Sequence, residues 1–137
     1  MRSLLSEPFY RLTGRRLSEK GVAVFQTDSP TVNPRILRTT IDNVALLFER
    51  CRPYICAMPS FPEGICSFCL CTGKDGVTDR ADKKRISRLA GSCRYFNEDI
   101  YNGAFLLPGH VREICGVYER KPPDSGGDRK PRANKKP

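Results

Sequence analysis

Gly21-Val22-Ala23-Val24-Phe25-Gln26-Thr27-Asp28-Ser29-Pro30-Thr31-Val32-Asn33-Pro34 joins a short apolar run to a polar turn and a helix start. The mostly apolar run Val22 to Gln26 follows a glycine and is too short for a helix, so a buried strand is expected. Asn33-Pro34 then starts a helix, with Asn as N-cap and Pro at the first helical position. Leu37, Ile41, Val44, Phe48 and Cys51 follow at i, i+4, i+7, i+11 and i+14, one apolar stripe on one helix. A strand that passes through a polar turn into an amphipathic helix is a unit of an α/β layer fold.

On the N-terminal side, Phe9, Tyr10, Leu12 and Leu17 sit at roughly helical spacing. They predict a helix with Pro8 in its first turn, ending at Lys20-Gly21. On the C-terminal side, Pro53 to Met58 and Ile65 to Thr72 read as strands joined by the Pro59 to Gly64 loop, a hairpin. The helical crossover predicts a parallel strand pair and the hairpin an antiparallel one. Lys74 to Lys84 is polar and expected on the surface, and Arg88 to Tyr118 suits short helices packed on a sheet edge. Three strands leave one sheet edge open, so something should cover it. In sheets of this kind ligands sit beyond the carboxyl ends of the strands, which makes Gln26 to Ser29 and Ser60 to Gly64 a candidate pocket rim.

The length of 137 residues fits a single domain. Apolar residues at 39% and charged residues at 28% exclude collagen-like, coiled-coil and fully disordered chains. No run is long enough to span a bilayer, and Met1 to Pro8 lacks a signal-peptide core, so the expected compartment is cytoplasmic. The net charge is +9, of which residues 119–137 supply +4 from seven basic and three acidic side chains. This tail is rich in Pro and Gly, cannot bury a core and is expected to be disordered. A non-catalytic protein that uses the basic tail to bind nucleic acid or an acidic partner is the alternative function. Charge runs are usually solvated, so nucleic acid is the disfavoured partner, and no membrane is expected.

Seven cysteines form an odd set without an export signal, which disfavours a disulfide framework and leaves reduced thiols as small core side chains. Cys66 and Cys69 have zinc-knuckle spacing, yet on a strand positions three apart face opposite ways and do not converge on one ion. With His110 the one histidine, a site would have to be all thiolate, and no metal is expected. Neither His110 nor Ser29 has the spacing of a Ser/His hydrolase.

Several stretches together carry a resemblance. Leu5-Ser6-Glu7-Pro8-Phe9-Tyr10 is similar to the Leu-Phe-x-x-x-Phe-Tyr helix start of the polyamine aminopropyltransferases, the spermidine synthase family. Gly21 to Pro30 resembles that family's Gly-Val-x-Val-x-Gln-x-Glu-Ser-Pro strand end, and Met58 to Phe68 its Ile-Pro-Thr-Tyr-Pro-x-Gly-x-Trp-x-Phe loop and strand. Arg94 to Pro108 resembles Arg-Tyr-Tyr-Asn-x-x-Ile-His-x-Ala-Ala-Phe-x-Leu-Pro. The resemblance covers roughly residues 4 to 116. It implies the C-terminal half of a Rossmann-like, methyltransferase-type sheet: strand, helix, strand, strand and short C-terminal helices over residues 1–118. The implied activity is transfer of an aminopropyl group from decarboxylated S-adenosylmethionine, a co-substrate, to putrescine or a similar amine, with no cofactor.

By the same resemblance Gln26 helps hold the acceptor amine and Asp28 takes the position of the family's Glu. Phe61 stands where the family commonly has Tyr, so apolar lining alone carries over. The family's glycine-rich donor loop and catalytic aspartate precede the first helix of this sequence, and neither is found here. The expectation is therefore a partial catalytic domain, inactive alone and without a catalytic residue of its own. Its expected partner is a missing N-terminal half or a homo-oligomer.

Overall fold

The computed structural model describes residues 6–73, 76 and 82–116. The expected tail, 119–137, and most of the expected polar loop after Lys74 lie outside these residues. The element order is α1 (Glu7–Arg16), β1 (Val22–Asp28), α2 (Pro34–Ala45), β2 (Arg50–Ala57), β3 (Ile65–Thr72), α3 (Lys83–Ala90), α4 (Glu98–Ala104) and α5 (Gly109–Cys115). This is the expected α/β strand, helix, strand, strand pattern with short helices after it.

The sheet order is β1-β3-β2, and both hydrogen-bonded pairings are antiparallel. The hairpin is thus as expected, but the parallel pair is corrected. Strands β1 and β2 run in the same direction, yet β3 folds back between them and takes the hydrogen bonds of both. Apolar and small residues on both faces of Ile65 to Thr72 make this central place favourable, because a central strand is covered above and below. Pro53 lies within β2, whose edge position tolerates a residue without an N–H.

Two helix boundaries also differ from the expected ones. α1 stops at Arg16, and Leu17 is already extended. A tight turn closed by Gly21 N–H to the Ser18 carbonyl (2.8 Å) then leads into β1. A Cβ on Gly21 would lie 2.8 Å from Leu17 Cδ2 and 2.9 Å from the Ser18 oxygen, so the glycine is needed for close approach. α2 stops at Ala45, which removes Phe48 and Cys51 from the helical stripe. Leu47 and Phe48 donate to the Val44 carbonyl in a closing turn, and from Arg50 the backbone is claimed by pairing with β3.

The core lies between one sheet face and helices α1, α2 and α5. Ala23, Phe25, Cys69 and Cys71 point into it from the sheet, and Tyr10, Leu37, Ile41, Val44, Val111 and Cys115 from the helices. Phe25 is the hub of its aromatic packing, with ring centroids 5.0 Å from Tyr10, 5.6 Å from Phe48 and 6.5 Å from Phe9. Phe48 therefore reaches the same core from the turn rather than from the helix.

Tyr10 is fully buried, and its hydroxyl has no hydrogen-bond partner among the described residues. Removing a buried unsatisfied hydroxyl removes its desolvation penalty, so Tyr10→Phe is expected to raise stability by about 1 kcal/mol. Leu37→Ala, at a fully buried position of α2, is expected to lower it by about 2–5 kcal/mol. Urea midpoints at unchanged slope read both effects, and a lower midpoint for Tyr10→Phe would show that the hydroxyl has a partner.

Candidate functional site

The carboxyl end of β1 is irregular. Gln26 pairs with Phe68, but the next registered pair is Asp28 with Ser67, a bulge that leaves Thr27 as the extra residue. The bulge is held from below: Thr27 Oγ1 lies 2.8 Å from Ser67 Oγ, which in turn donates to the Asp28 carbonyl. Asp28 has φ +68°, a left-handed conformation that Asp tolerates when its short side chain bonds locally. Its carboxylate does so, accepting from Ser29 N–H (2.6 Å) and from Asn33 Nδ2 (3.1 Å). Asn33 holds the N-cap position of α2 without capping it through its side chain, which reaches back to Asp28 instead.

Gln26 projects from the sheet face opposite the core and is exposed. Its Nε2 sits 3.5 Å from the Sγ of Cys66, a buried thiol at the start of β3. Burial pushes the Cys66 thiol up, against the lowering effect of the Gln26 amide. The thiol thus stays protonated at neutral pH, and the contact fixes the Gln26 side chain.

Phe61 is half-buried in the β2 to β3 loop. The loop is closed by Met58 N–H to the Gly64 carbonyl (2.8 Å), Phe61 N–H to Met58 O (2.9 Å) and Gly64 N–H to Phe61 O (2.9 Å). Gly64 has φ +69°, which makes glycine the natural residue there. Ala57 pairs with Ile65 and Asp28 with Ser67, so the ends of β2 and β1 meet β3 at the same end of the sheet. The two halves of the expected rim, 26–29 and 60–64, therefore share one end of the sheet. No hydrogen bond joins Phe61 to Gln26 or Asp28 among the described residues.

Other residues shape this end without having been singled out from the sequence. Tyr95 accepts a hydrogen bond from Ala57 N–H (3.0 Å) and secures the last residue of β2 before the loop. Tyr54 stacks on Phe68 at 5.4 Å, and Phe105 of the segment after α4 lies 5.3 Å from Tyr54 with the Arg52 guanidinium 3.7 Å over its ring. Burial, then the neighbouring thiols of Cys56, Cys69 and Cys66, push the Tyr54 hydroxyl up. The aromatic groups cover the β2 half of this sheet face. The β1 half is open, with Val22 and Val24 respectively 48% and 50% exposed beside Gln26.

This chain has the architecture of a methyltransferase-like α/β protein, and the comparisons with solved structures bear that out. It is similar in fold to a spermidine synthase from Thermotoga maritima, with a TM-score of 0.76 at 23% identity over 84% of this chain and 40% of that one. A spermidine synthase in complex with a transition-state analogue, AdoDATO, superimposes equally well over 83% of this chain.

The chain belongs to the spermine/spermidine synthase family, whose domain model matches residues 1–81. Polyamine aminopropyltransferases from Moorella thermoacetica and Lachnoclostridium phytofermentans are 34% and 31% identical to it over 86% and 85% of this chain. The chain spans 41% and 42% of the length of those two relatives. No described helix is long and apolar enough to cross a membrane.

Two expectations follow from the geometry. Ser67→Ala breaks the link from Thr27 to the Asp28 carbonyl and should cost about 1–3 kcal/mol. Combined with Thr27→Val the loss should be less than the sum, because both substitutions cut one network; strict additivity in urea unfolding would show that they act separately. The thiols of Cys56, Cys66, Cys69, Cys71 and Cys115 are all pushed above their ordinary value of 9, Cys115 to about 11, chiefly by burial and by thiol-to-thiol hydrogen bonding. The folded chain then holds these protons more tightly than the unfolded one, so stability is whole below pH 9 and declines from there toward pH 11. A urea midpoint that stays level across that window would contradict the buried, protonated thiols.

Proposed function

We propose that this chain forms the amine-acceptor end of a polyamine aminopropyltransferase. The donor would be decarboxylated S-adenosylmethionine and the acceptor a diamine such as putrescine. The observation that carries the proposal is the amide of Gln26, held at the open end of β1. With Nε2 directed at Cys66, Oε1 is the end left to meet a ligand, and an amide oxygen suits the N–H donors of a protonated amine. Asp28 uses two acceptor sites on its own loop, so its contribution is to fix the bulge beneath Gln26 and to add negative charge near a cationic ligand. Phe61 supplies an apolar wall for the methylene chain of the amine, without the hydroxyl of a tyrosine.

Transfer needs more than this end of the sheet. A deprotonated amine must attack the carbon beside the sulfonium in a closed site, which requires a base and a donor pocket. In this proposal both come from an N-terminal half of the kind the resemblance places ahead of α1, docked along the open β1 edge and over Val22 and Val24. A homo-oligomer is then a higher level of assembly rather than a substitute for that half. The reaction would take place in the cytoplasm, which suits cysteines that form no disulfide among the described residues.

The test replaces the matching C-terminal part of the Moorella thermoacetica relative with this chain and assays transfer to putrescine. The chimera is expected to turn over, whereas this chain by itself is expected to be inactive. Gln26→Ala in the chimera should lower kcat/KM about 10- to 100-fold, the effect of losing a hydrogen bond to a charged group. A folded chimera that transfers to no diamine, or one indifferent to Gln26→Ala, would refute the proposal.

A further inference from the structure

We propose that Cys51, Cys69 and Cys71 form a three-thiolate binding site for a soft monovalent metal ion, Cu(I). The site lies on the core face of the sheet, away from Gln26, and does not depend on the aminopropyltransferase proposal. Cys69 and Cys71 are two apart on β3 and so share a face, while Cys51 stands directly opposite Cys71 on β2. Cys71 Sγ lies 3.5 Å from Cys51 Sγ and 3.6 Å from Cys69 Sγ, and all three sulfurs fall within 4.8 Å of one another. The zinc-knuckle pair suggested by spacing is split, with Cys66 on the opposite face, and the trio is assembled across two strands instead.

The donor set decides the ion. Three sulfurs and no nitrogen or oxygen ligand among the described residues of the cluster favour a soft metal. Structural Zn(II) almost always takes four ligands, whereas Cu(I) accepts three in a plane. Metal-to-sulfur bonds of about 2.3 Å place three sulfurs about 4.0 Å apart around a trigonal centre, so small side-chain movements suffice. Cys115 belongs to the same core but is not one of the three sulfurs that converge. Cys69 and Cys71 are fully buried, and Cys51, half-buried on the edge strand, provides the way in.

Before binding, the three groups are thiols that meet around Cys71 Sγ, with all three sulfurs within 4.8 Å of one another. On binding, three S–H bonds break, three S–Cu bonds form, three protons pass to solvent and copper remains Cu(I). No electron is transferred, and the fixed sulfurs replace the ligands the ion brings with it.

The test titrates the reduced full chain with Cu(I) under anaerobic conditions against bicinchoninate, a coloured competitor. One ion per chain should be retained, with ultraviolet thiolate-to-copper absorption and an X-ray absorption spectrum of three sulfur neighbours at about 2.3 Å. Cys51→Ser, at the most accessible of the three, should weaken binding by more than about 100-fold. Cys69→Val, which keeps a small apolar group in the core, should do the same, with circular dichroism confirming that both variants are folded. Cys93→Ser alters an exposed thiol outside the cluster and should leave binding unchanged. Wild-type affinity in the folded Cys51→Ser or Cys69→Val protein would overturn the proposal, as would equal loss in Cys93→Ser. Binding of Zn(II) in preference to Cu(I) would overturn the choice of ion.

Discussion

Everything in this structure depends on the double pairing of β3. All eight of its residues pair with β2 and the six from Ser67 to Thr72 pair with β1 as well, so most of its backbone donors and acceptors have a partner available in the sheet. Because β3 reverses the chain after β2, the ends of β1 and β2 and the loop between β2 and β3 fall at one end of the sheet. The candidate site is the result: a bulged strand end on one side of β3 and a closed turn on the other.

The same strand separates two chemistries. Toward the helices it presents Cys69 and Cys71 to a core of aromatic and aliphatic side chains, where hydrogen bonding with Cys51 first, and then burial, push both thiols up. Toward the other face it presents Cys66 and Phe68, against Gln26 and Tyr54. One covered face stabilises the unit, and one partly open face exposes Gln26. The bulge at Thr27 links the two, since its buried hydroxyl meets Ser67 on the core side while Gln26, one residue earlier, points the other way.

That open face is the one on which the proposed function rests. The chain covers about two-fifths of the curated relatives it matches, and among the described residues it is the β1 side that exposes valines, Val22 and Val24. A sheet with an unpaired edge and exposed valines beside a polar anchor is suited to continuation by further structure. Asp28 serves the fold first: its carboxylate supports the left-handed turn that follows Gln26.

The local elements of this protein are legible in its residues. Val22 to Gln26, Asn33-Pro34 and the Pro59 to Gly64 loop announced a strand, a helix start and a hairpin, because chain stiffness, missing N–H groups and apolar periodicity act over a few residues. The same local signals placed Gln26 and the hairpin loop at one end of the sheet, and the order of motifs resembled a family that the comparisons bear out. Relations set by distant pairing emerge with the folded chain alone. The insertion of β3 between β1 and β2, the transfer of Cys51 from a helical stripe to a strand, and the turn of Asn33 toward Asp28 each depend on partners far away in sequence or on a bulge. The meeting of Cys51 with Cys69 and Cys71 is the clearest case. Their spacing carries no motif, because it is the register between two strands, not the distance along one chain, that brings three sulfurs together.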